Sequence, residues 1–336
     1  MEARSRRNGR FRSLVAVSAM ALAGVLSGCG AADGDPLTTS PNPREAFLQD
    51  GALRPVRMAS GRALTYVLPT TGSQILCQAL PEQRWRELLG GRVGRWPSSP
   101  PVAGCQVNDQ RGFVVMQLRE SRAAFSVEAA VAGRPMRVDR NDRDATEVTV
   151  ALTDDALQPA TRPTRHLLTL QSSGHGDPRA ELALVKRVLN ELVPVLAHDG
   201  DPLPAVDDQG HVEYTDTPLT SGAEFVDLPT PVQALQLCTL LWDEPGLVNA
   251  DEVVLTDTGE CQLTGADDDD SITVVMTASP DDPSAYPDRI ADRPALIGDS
   301  EVVTLVRLRE DVAVDLTVYA SDSAELAERL VPLLTG

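Results

Sequence analysis

The sequence predicts an α+β protein made of two homologous units, each an antiparallel sheet covered on one face by helices. Three observations predict it: an internal repeat, short apolar runs typical of strands, and an apolar stripe at helical spacing near the end of each half. The chain has 336 residues, of which 42% are hydrophobic and 4% aromatic. That composition supports two cores of ordinary size and excludes a disordered chain. We expect the units at residues 51–200 and 201–336.

The repeat is visible as short echoes that follow one order in both halves. Ser60-Gly61 and Ser221-Gly222 each precede a cysteine, Cys77 or Cys238, by the same spacing. The further echoes are Leu68-Pro69-Thr70 with Leu228-Pro229-Thr230, Leu76-Cys77-Gln78-Ala79-Leu80 with Leu237-Cys238-Thr239-Leu240-Leu241, Gly104-Cys105-Gln106-Val107 with Glu260-Cys261-Gln262-Leu263, Val114-Val115-Met116 with Val274-Val275-Met276, Ala132-Gly133-Arg134-Pro135 with Ala291-Asp292-Arg293-Pro294, and Glu191-Leu192-Val193-Pro194-Val195-Leu196 with Arg329-Leu330-Val331-Pro332-Leu333-Leu334. A duplicated segment explains this shared order.

Four cysteines, Cys77, Cys105, Cys238 and Cys261, fall within the two units. Their even number predicts two disulfides if the chain is exported to an oxidising compartment. Sequence alone permits three pairings. If each unit closes its own bridge, the pairs are Cys77 with Cys105 and Cys238 with Cys261.

In the first unit we expect residues 53–58 and 62–68 to form a hairpin around Ser60-Gly61. Pro81 then begins a short helix that carries Trp85 on its apolar face and ends at Gly90-Gly91. Strands are predicted at 113–118, 146–152 and 166–171, and the pattern at 123–131 fits either a helix or a strand. Pro178 begins a closing helix with a continuous apolar stripe.

In the second unit the corresponding strands are 272–277, 302–309 and 312–319, with a tight turn at Glu310-Asp311. The closing helix begins near Asp322 or Ser323, both of which are good helix caps. Pro245-Gly246 is expected to break the short helix of this copy. The acidic run at 267–270 lacks the ligand pattern of a calcium loop and fits a solvated hairpin turn.

The N-terminus has the pattern of a secretion signal. Five arginines lie between positions 4 and 12, and the apolar run at 14–26 that follows is too short to span a membrane stably. The run ends in Leu26-Ser27-Gly28-Cys29, which resembles the lipobox of bacterial lipoproteins. The resemblance implies that residues 1–28 are a signal peptide, that Cys29 is acylated, and that residues 29–50 form a flexible tether to the cytoplasmic membrane.

The two units differ strongly in charge. Residues 51–200 contain 19 basic and 15 acidic residues, whereas residues 201–336 contain 5 basic and 29 acidic residues. The chain as a whole carries -19, which disfavours nucleic acid as a partner. Three interpretations stay open: the first unit faces anionic lipid or wall polymer, the second unit docks a basic partner, or the acidic surface is only solvated.

The sequence carries few residues typical of catalysis. We find no Gly-x-Ser-x-Gly elbow, and no Ser-x-x-Lys nucleophile around Lys186, the only lysine. The four histidines, His166, His175, His198 and His211, lack the spacing of a metal site. The sequence therefore predicts no catalytic residue, no metal and no cofactor.

One segment stands out as a candidate binding surface. Four arginines, Arg84, Arg86, Arg92 and Arg95, lie close to Trp96. Arginine can hold carboxylates or phosphates through paired hydrogen bonds, and tryptophan offers a flat face to a sugar or an apolar chain. The alternative is structural: Trp85 is a core residue of its helix and Trp96 packs under the loop at 97–101.

The lipobox, a Cys-x-x-Leu helix start at Cys77 and Cys238, and a second cysteine that opens a strand at Cys105 and Cys261 are together similar to small cell-envelope lipoproteins of actinobacteria with no assigned function. The pattern also resembles the disulfide-bonded extracellular sensor domains of mycobacterial receptor kinases. The resemblance implies a lipid-anchored, extracytoplasmic binding or sensor module that contacts an envelope protein, a lipid or a wall polymer. The alternatives are an assembly factor that docks a protein partner and an envelope hydrolase.

Overall fold

Two antiparallel sheets of seven strands each, one in each half of the chain, form the framework of the protein. The computed structural model describes residues 48–121, 125–140, 146–153, 165–243, 252–265, 271–278, 283–300 and 302–336. Cys29, the Pro245-Gly246 break and the acidic run at 267–270 lie outside the described residues. The α+β class with two similar units is confirmed.

The elements of the first repeat lie between Gly61 and Leu196. Its helices and strands are α1 (Gly61–Thr65), α2 (Pro69–Gln78), α3 (Glu82–Leu89), β1 (Gly94–Pro97), β2 (Gly104–Asn108), β3 (Phe113–Ser121), β4 (Ala129–Val131), β5 (Arg134–Arg140), β6 (Thr146–Ala151), β7 (Arg165–Ser173) and α4 (Pro178–Leu196).

The second repeat begins with a 3₁₀ turn at Gly222–Asp227, where the first has α1. Its helices and strands are α5 (Thr230–Trp242), β8 (Glu252–Leu255), β9 (Glu260–Thr264), β10 (Ile272–Ala278), β11 (Asp288–Ile290), β12 (Arg293–Ile297), β13 (Val303–Arg309), β14 (Val312–Tyr319) and α6 (Ser323–Thr335). Residues 201–221, which we call the connecting segment, join the repeats.

The two sheets have the same strand order. The first runs β1-β2-β3-β7-β6-β5-β4 and the second runs β8-β9-β10-β14-β13-β12-β11, so each strand has a counterpart seven strands later. Neighbouring strands are antiparallel throughout. The shared order is the structural counterpart of the sequence echoes.

In each repeat two helices cover one face of the sheet. Helix α2 packs on β1, β2 and β3, while α4 packs on β4, β6 and β7; α5 and α6 cover the second sheet in the same way. The alternation of strand side chains fits this arrangement, because Val114 and Met116 of β3 are fully buried whereas Val115 and Gln117 are half-buried.

One disulfide ties a helix to a strand in each repeat. Cys77 in α2 bonds to Cys105 in β2, and Cys238 in α5 bonds to Cys261 in β9, with Cα atoms 5.3 Å apart in both pairs. The intra-unit pairing is confirmed. The bridges therefore hold α2 and α5 on the three-strand side of each sheet.

The helix at Pro81 and the closing helix at Pro178 are confirmed. Helix α3 buries Trp85, Leu88 and Leu89 and ends at Gly90, whose φ of 80° is left-handed. Helix α4 buries the predicted stripe except Leu182, which is partly buried. The strands at 113–118, 146–152, 166–171, 272–277, 302–309 and 312–319 also form, with small changes at their ends.

The hairpin expected around Ser60-Gly61 is wrong. Residues 53–58 form no strand, and Gly61 begins helix α1. The backbone of the preceding segment is bonded to side chains of α2 instead of to a partner strand: the Arg54 N–H donates to Gln74 Oε1 at 3.1 Å, and Gln78 Nε2 donates to the Arg54 carbonyl at 2.8 Å.

The helix start expected at the Cys-x-x-Leu motifs is also wrong. Cys77 lies in the last turn of α2, and Cys238 lies in the second half of α5. Both helices begin earlier, at the echoed Leu-Pro-Thr sequences, where proline fits the first helical turn. In the ambiguous region 123–131, the described residues contain only the short strand β4.

The repeats are joined by a buried ion pair and a backbone bond. Arg54 holds Asp227 through two bonds of 2.6 and 2.7 Å, and Thr71 donates a third to the same carboxylate at 2.7 Å. The Thr230 N–H donates to the carbonyl of Tyr66 at 2.8 Å. Leu68 of the first repeat is buried in the core of the second. Both repeats therefore belong to one compact body.

Candidate functional site

The Ser-Gly pair that both repeats share lies at the beginning of each repeat, close to its end. In the first repeat we call the contact of Ser60-Gly61 with residues 198–200 the lock. Gly61 has a φ of 56°, and a Cβ there would lie 2.3 Å from the carbonyl oxygen of His198. A Cβ on Gly200 would lie 2.3 Å from the carbonyl oxygen of Ser60. In the second repeat a Cβ on Gly336 would lie 3.4 Å from Ser221 Oγ, so the two ends are also near each other but leave room for a side chain. Glycine is required at Gly61 and Gly200 both for conformation and for space.

His198 reinforces this lock. The Gly200 N–H donates to His198 Nδ1 at 3.1 Å, and the Ser60 hydroxyl lies 3.0 Å from the same nitrogen. Because Nδ1 accepts from Gly200, it carries no proton, and the Ser60 hydroxyl donates to it. The lock therefore sets the position of the loop that leads from Ser60 into α1.

A pocket of about 500 Å³ opens beside the lock, between the first repeat, the connecting segment and the second repeat. This volume is in the range of small-molecule sites. Its polar lining includes Arg62, Tyr66, Glu120, Arg134, Thr153, His166, His198, Asp199, Asp207, Asp208, Thr230, Asp257 and Thr258. Val67, Leu68, Leu152 and Val206 contribute apolar surface. Sequence reasoning missed this site, because its residues come from many elements.

Arg62 is a half-buried guanidinium that lies over an aromatic ring. Its Cζ is 5.8 Å from the ring centroid of Tyr66, within the range of a cation–π contact. Among the described residues no carboxylate lies within ion-pair distance of Arg62. Its donors are therefore available to a molecule in the pocket.

His166 is the most deeply buried titratable group of the pocket, with 9% of the residue exposed. Burial, aided by the positive charge of Arg62, lowers its pKa to about 4. Its imidazole is therefore neutral near pH 7. Nδ1 lies 3.9 Å from Glu120 Oε1, and neither ring nitrogen forms a hydrogen bond with any described residue. The Tyr66 ring lies 6.2 Å away, centroid to centroid.

We call Arg62, Tyr66, Thr153 and His166 the donor group of the pocket. The Thr153 hydroxyl oxygen is buried without a hydrogen-bond partner among the residues described. Arg134 also lines the pocket, and its guanidinium donates to the carbonyl of Ala197 at 2.9 Å, just after α4. The donor group is supplied entirely by the first repeat.

Asp207, Asp208 and Asp257, which we call the acidic group, line the pocket from the connecting segment and the second repeat. The His211 N–H, helped by the Gln209 N–H, lowers the pKa of Asp207, so its carboxylate is charged at neutral pH. Asp257 is half-buried and lies in the turn between β8 and β9. The pocket therefore combines donors from the first repeat with carboxylates from both sides, because Glu120 and Asp199 of the first repeat also line it.

The second repeat has a smaller cavity at the equivalent place. It has a volume of about 310 Å³ and lies between Gly222, Arg293 and the end of α6. Ala223 follows the Ser-Gly pair where the first repeat has Arg62, and the sequence has no histidine after His211. Arg309 in this cavity is paired with Asp311. The features of the donor group are thus confined to the first copy.

A second constellation joins serine, histidine and aspartate but is buried. Ser172 Oγ lies 3.0 Å from His175 Nδ1, and His175 Nε2 lies 3.1 Å from Asp109 Oδ1. Burial acts to raise the pKa of Asp109, but the N–H groups of Gly112 and Arg111 and the nearby His175 outweigh it and lower the pKa. Ser172 has no exposed surface, so its hydroxyl is out of reach of a substrate in this conformation. The three residues tie the β2–β3 turn to the loop before α4.

The arginine segment predicted as a binding surface is largely engaged in ion pairs. Arg84 pairs with Glu191 and Glu87, Arg86 pairs with Glu82, and Arg95 holds Asp50 at 2.6 Å. Arg92 is exposed and has no carboxylate partner in the described part of the chain.

The two tryptophans of this segment differ. Trp85 is fully buried, as the structural interpretation expects, whereas 40% of Trp96 is exposed, and its ring packs over Gly51. The carboxylates already neutralise three of the four arginines, so this surface offers an anion less than the sequence indicates.

Comparison with models of protein families, with curated proteins and with solved structures finds no match for this chain. Within the described ranges, no group of three or more His, Cys, Asp or Glu side chains is arranged to hold a metal ion. No helix in those ranges has both the length and the apolar character needed to cross a bilayer. Two disulfides are typical of a protein that folds outside the cytoplasm.

Proposed function

We propose that the protein is a non-catalytic binding module, held by a lipid on Cys29 at the extracytoplasmic face of the cytoplasmic membrane, that takes a small polar ligand in the pocket between its repeats. The observation that carries the binding role is the donor group. Among the described residues Arg62 has no carboxylate partner, and the imidazole of His166 forms no hydrogen bond. Polar groups that line a pocket without partners inside the protein are free to form hydrogen bonds with a ligand.

The comparison between the repeats supports the same role. The second cavity is smaller and lacks a counterpart of Arg62, and Arg309, one of its two arginines, is neutralised by Asp311. A purely structural role for the first pocket would not require a guanidinium that pairs with no described carboxylate to lie beside a buried imidazole. The difference favours a ligand site in the first copy.

The binding role is tested by thermal denaturation of the exported chain against a panel of small polar compounds: sugars, sugar phosphates, amino acids, nucleosides and polyamines. A ligand at about 100 times its Kd stabilises the fold by about 2.7 kcal/mol, which raises Tm by about 5–10 °C. We expect at least one compound to do so, in the unaltered protein and in the exposed-arginine control Arg187→Ala but not in Arg62→Ala. If no compound raises Tm, or if Arg62→Ala responds like the control, the pocket is not the binding site.

The anchor is tested separately by replacing Cys29 with alanine. We expect the unaltered protein to sediment with membranes and to incorporate a radiolabelled fatty acid, and Cys29→Ala to do neither. Fatty-acid labelling that survives in Cys29→Ala would contradict the proposed anchor.

A further inference from the structure

We propose that the ligand of this pocket is a zwitterion of the amino-acid or short-peptide type, with its carboxylate on Arg62 and His166 and its ammonium group among the carboxylates of the acidic group. The inference rests on the proposed binding function and names its ligand class. Three features of the pocket support this ligand class: the charges of its lining residues, the repeat to which each charged residue belongs, and the apolar surface of the lining.

The donor group fits a carboxylate. The Arg62 guanidinium offers paired N–H donors in the geometry that a carboxylate accepts, and its position over Tyr66 limits its freedom. A neutral His166 adds one more N–H without adding charge. The single positive charge of Arg62 matches the single negative charge of a carboxylate better than the double charge of a phosphate monoester.

The acidic group makes a simple anion a poor ligand. Five carboxylates line the pocket against two arginines, and one of these arginines, Arg134, is bonded to the carbonyl of Ala197. The half of the chain after residue 200 adds a large excess of acidic residues. A ligand that carries its own ammonium group matches these carboxylates and has no net charge to be repelled.

Asp257 is the carboxylate best placed to receive the ammonium group. It is half-buried, and among the described residues no cation pairs with its side chain. Its backbone is fixed, because its N–H donates to the Gly210 carbonyl at 2.9 Å and its carbonyl accepts from the Thr230 hydroxyl at 2.6 Å. Asp257 belongs to the second repeat and Arg62 to the first, so the ligand would bridge the two.

The apolar lining selects the side chain. The pocket has an aliphatic surface formed by Val67, Leu68, Leu152 and Val206. Among its described lining residues, Tyr66 is the one aromatic side chain besides the histidines. A branched aliphatic side chain fits this surface, and a volume of about 500 Å³ admits a dipeptide as well as a single amino acid. L-leucine and L-leucyl-L-leucine are therefore the probes of choice.

Isothermal titration calorimetry of the exported chain tests the proposal with four probes: L-leucine, L-leucyl-L-leucine, 3-methylbutylamine, which lacks the carboxylate, and 4-methylpentanoate, which lacks the ammonium group. We expect one or both zwitterions to bind, and each single-charge analogue to bind at least tenfold more weakly. The zwitterion that binds with the higher affinity shows whether the natural ligand is a free amino acid or a peptide.

Three variants locate the ends of the ligand. Arg62→Ala is expected to weaken zwitterion binding at least tenfold and Asp257→Asn severalfold. The control Arg187→Ala, at an exposed arginine of α4 outside the pocket, leaves binding unchanged. Circular dichroism confirms folding of each variant, and Arg62→Gln replaces Arg62→Ala if the latter does not fold.

The outcomes separate this inference from the proposed function. If neither zwitterion binds, or if an analogue with one charge binds as tightly, the ligand class is wrong; the pocket function still stands if another compound stabilises the protein in an Arg62-dependent manner. If zwitterion binding does not depend on Arg62, both proposals fail.

Discussion

The buried pair between Arg54 and Asp227 offers the most direct test of how the repeats are held together. Asp227 accepts two bonds from the guanidinium at 2.6 and 2.7 Å and one from Thr71 at 2.7 Å, and only 9% of the Arg54 side chain and 3% of the Asp227 side chain are exposed. Replacing Asp227 with asparagine keeps the shape but leaves the guanidinium buried without its counter-charge. Loss of one partner of such a pair costs about 3–5 kcal/mol.

The chain supplies a matched control in the exposed pair between Arg57 and Asp201. Its N···O distance is 2.7 Å, but 50% and 61% of the two side chains are exposed. An exposed pair contributes about 0–1 kcal/mol because water screens it. We therefore expect Asp227→Asn to lower the free energy of unfolding by about 3–5 kcal/mol and Arg57→Ala by less than about 1 kcal/mol.

Urea unfolding followed by circular dichroism measures both variants. A third variant, Arg54→Met combined with Asp227→Leu, removes both charges together and is expected to recover most of the loss, because no charge is then left unpaired. The reasoning is refuted if Asp227→Asn costs no more than Arg57→Ala, or if the double variant is less stable than Asp227→Asn alone.

Three further predictions follow from the fold. Removing one bridge with Cys77→Ala and Cys105→Ala should lower the unfolding free energy by about 3.5 kcal/mol in urea titrations, as expected for a closed loop of 28 residues; no change would contradict it. The pKa of His166 is 6.5 in the unfolded chain and about 4 in the folded protein, so protonation below pH 6.5 favours unfolding. The free energy of unfolding should therefore be highest above pH 6.5 and fall by about 3 kcal/mol as the pH approaches 4, and His166→Gln should lack this decrease. Gly61→Ala should lower Tm far more than Gly133→Ala, because both glycines have a left-handed backbone but only Gly61 lacks room for a Cβ. Equal losses of Tm would show that the backbone conformation alone matters.

The sequence predicted the framework well wherever the physical signal was local. The stripe on α4 follows from apolar residues at helical spacing, and the strands β3, β7 and β14 follow from short apolar runs between turn residues. The disulfide pairing followed from the repeat, which is a property of order along the chain. These features needed no knowledge of distant contacts.

Helix α2 escaped prediction because it has no clear apolar face. It contains Thr71, Gly72, Ser73 and Gln74, which are weak helix formers or polar, and all four are buried. Tertiary contacts stabilise it: Gln74 and Gln78 bond to the segment that precedes α1, and Cys77 bonds to β2. Such a helix cannot be identified from periodicity alone.

The pocket escaped prediction for a different reason. Arg62, His166 and Asp257 are far apart in sequence and meet only once both repeats have folded and packed. The arginine cluster around Trp96 stood out because its residues are close in sequence, yet most of them pair with carboxylates that the folded chain brings to them. The Ser-Gly echo was the one sequence signal near the site, since it precedes Arg62 directly.

The contact of Ser60 with Gly200 means that the first repeat begins and finishes at nearly the same point in space. A module with adjoining ends can be copied head to tail with only a short joint, and each copy keeps its own topology. The same closure predicts that a permuted first repeat, cut in an exposed turn and rejoined across Ser60 and Gly200, retains its sheet order. The two repeats accordingly share one strand order although their charges and pockets differ.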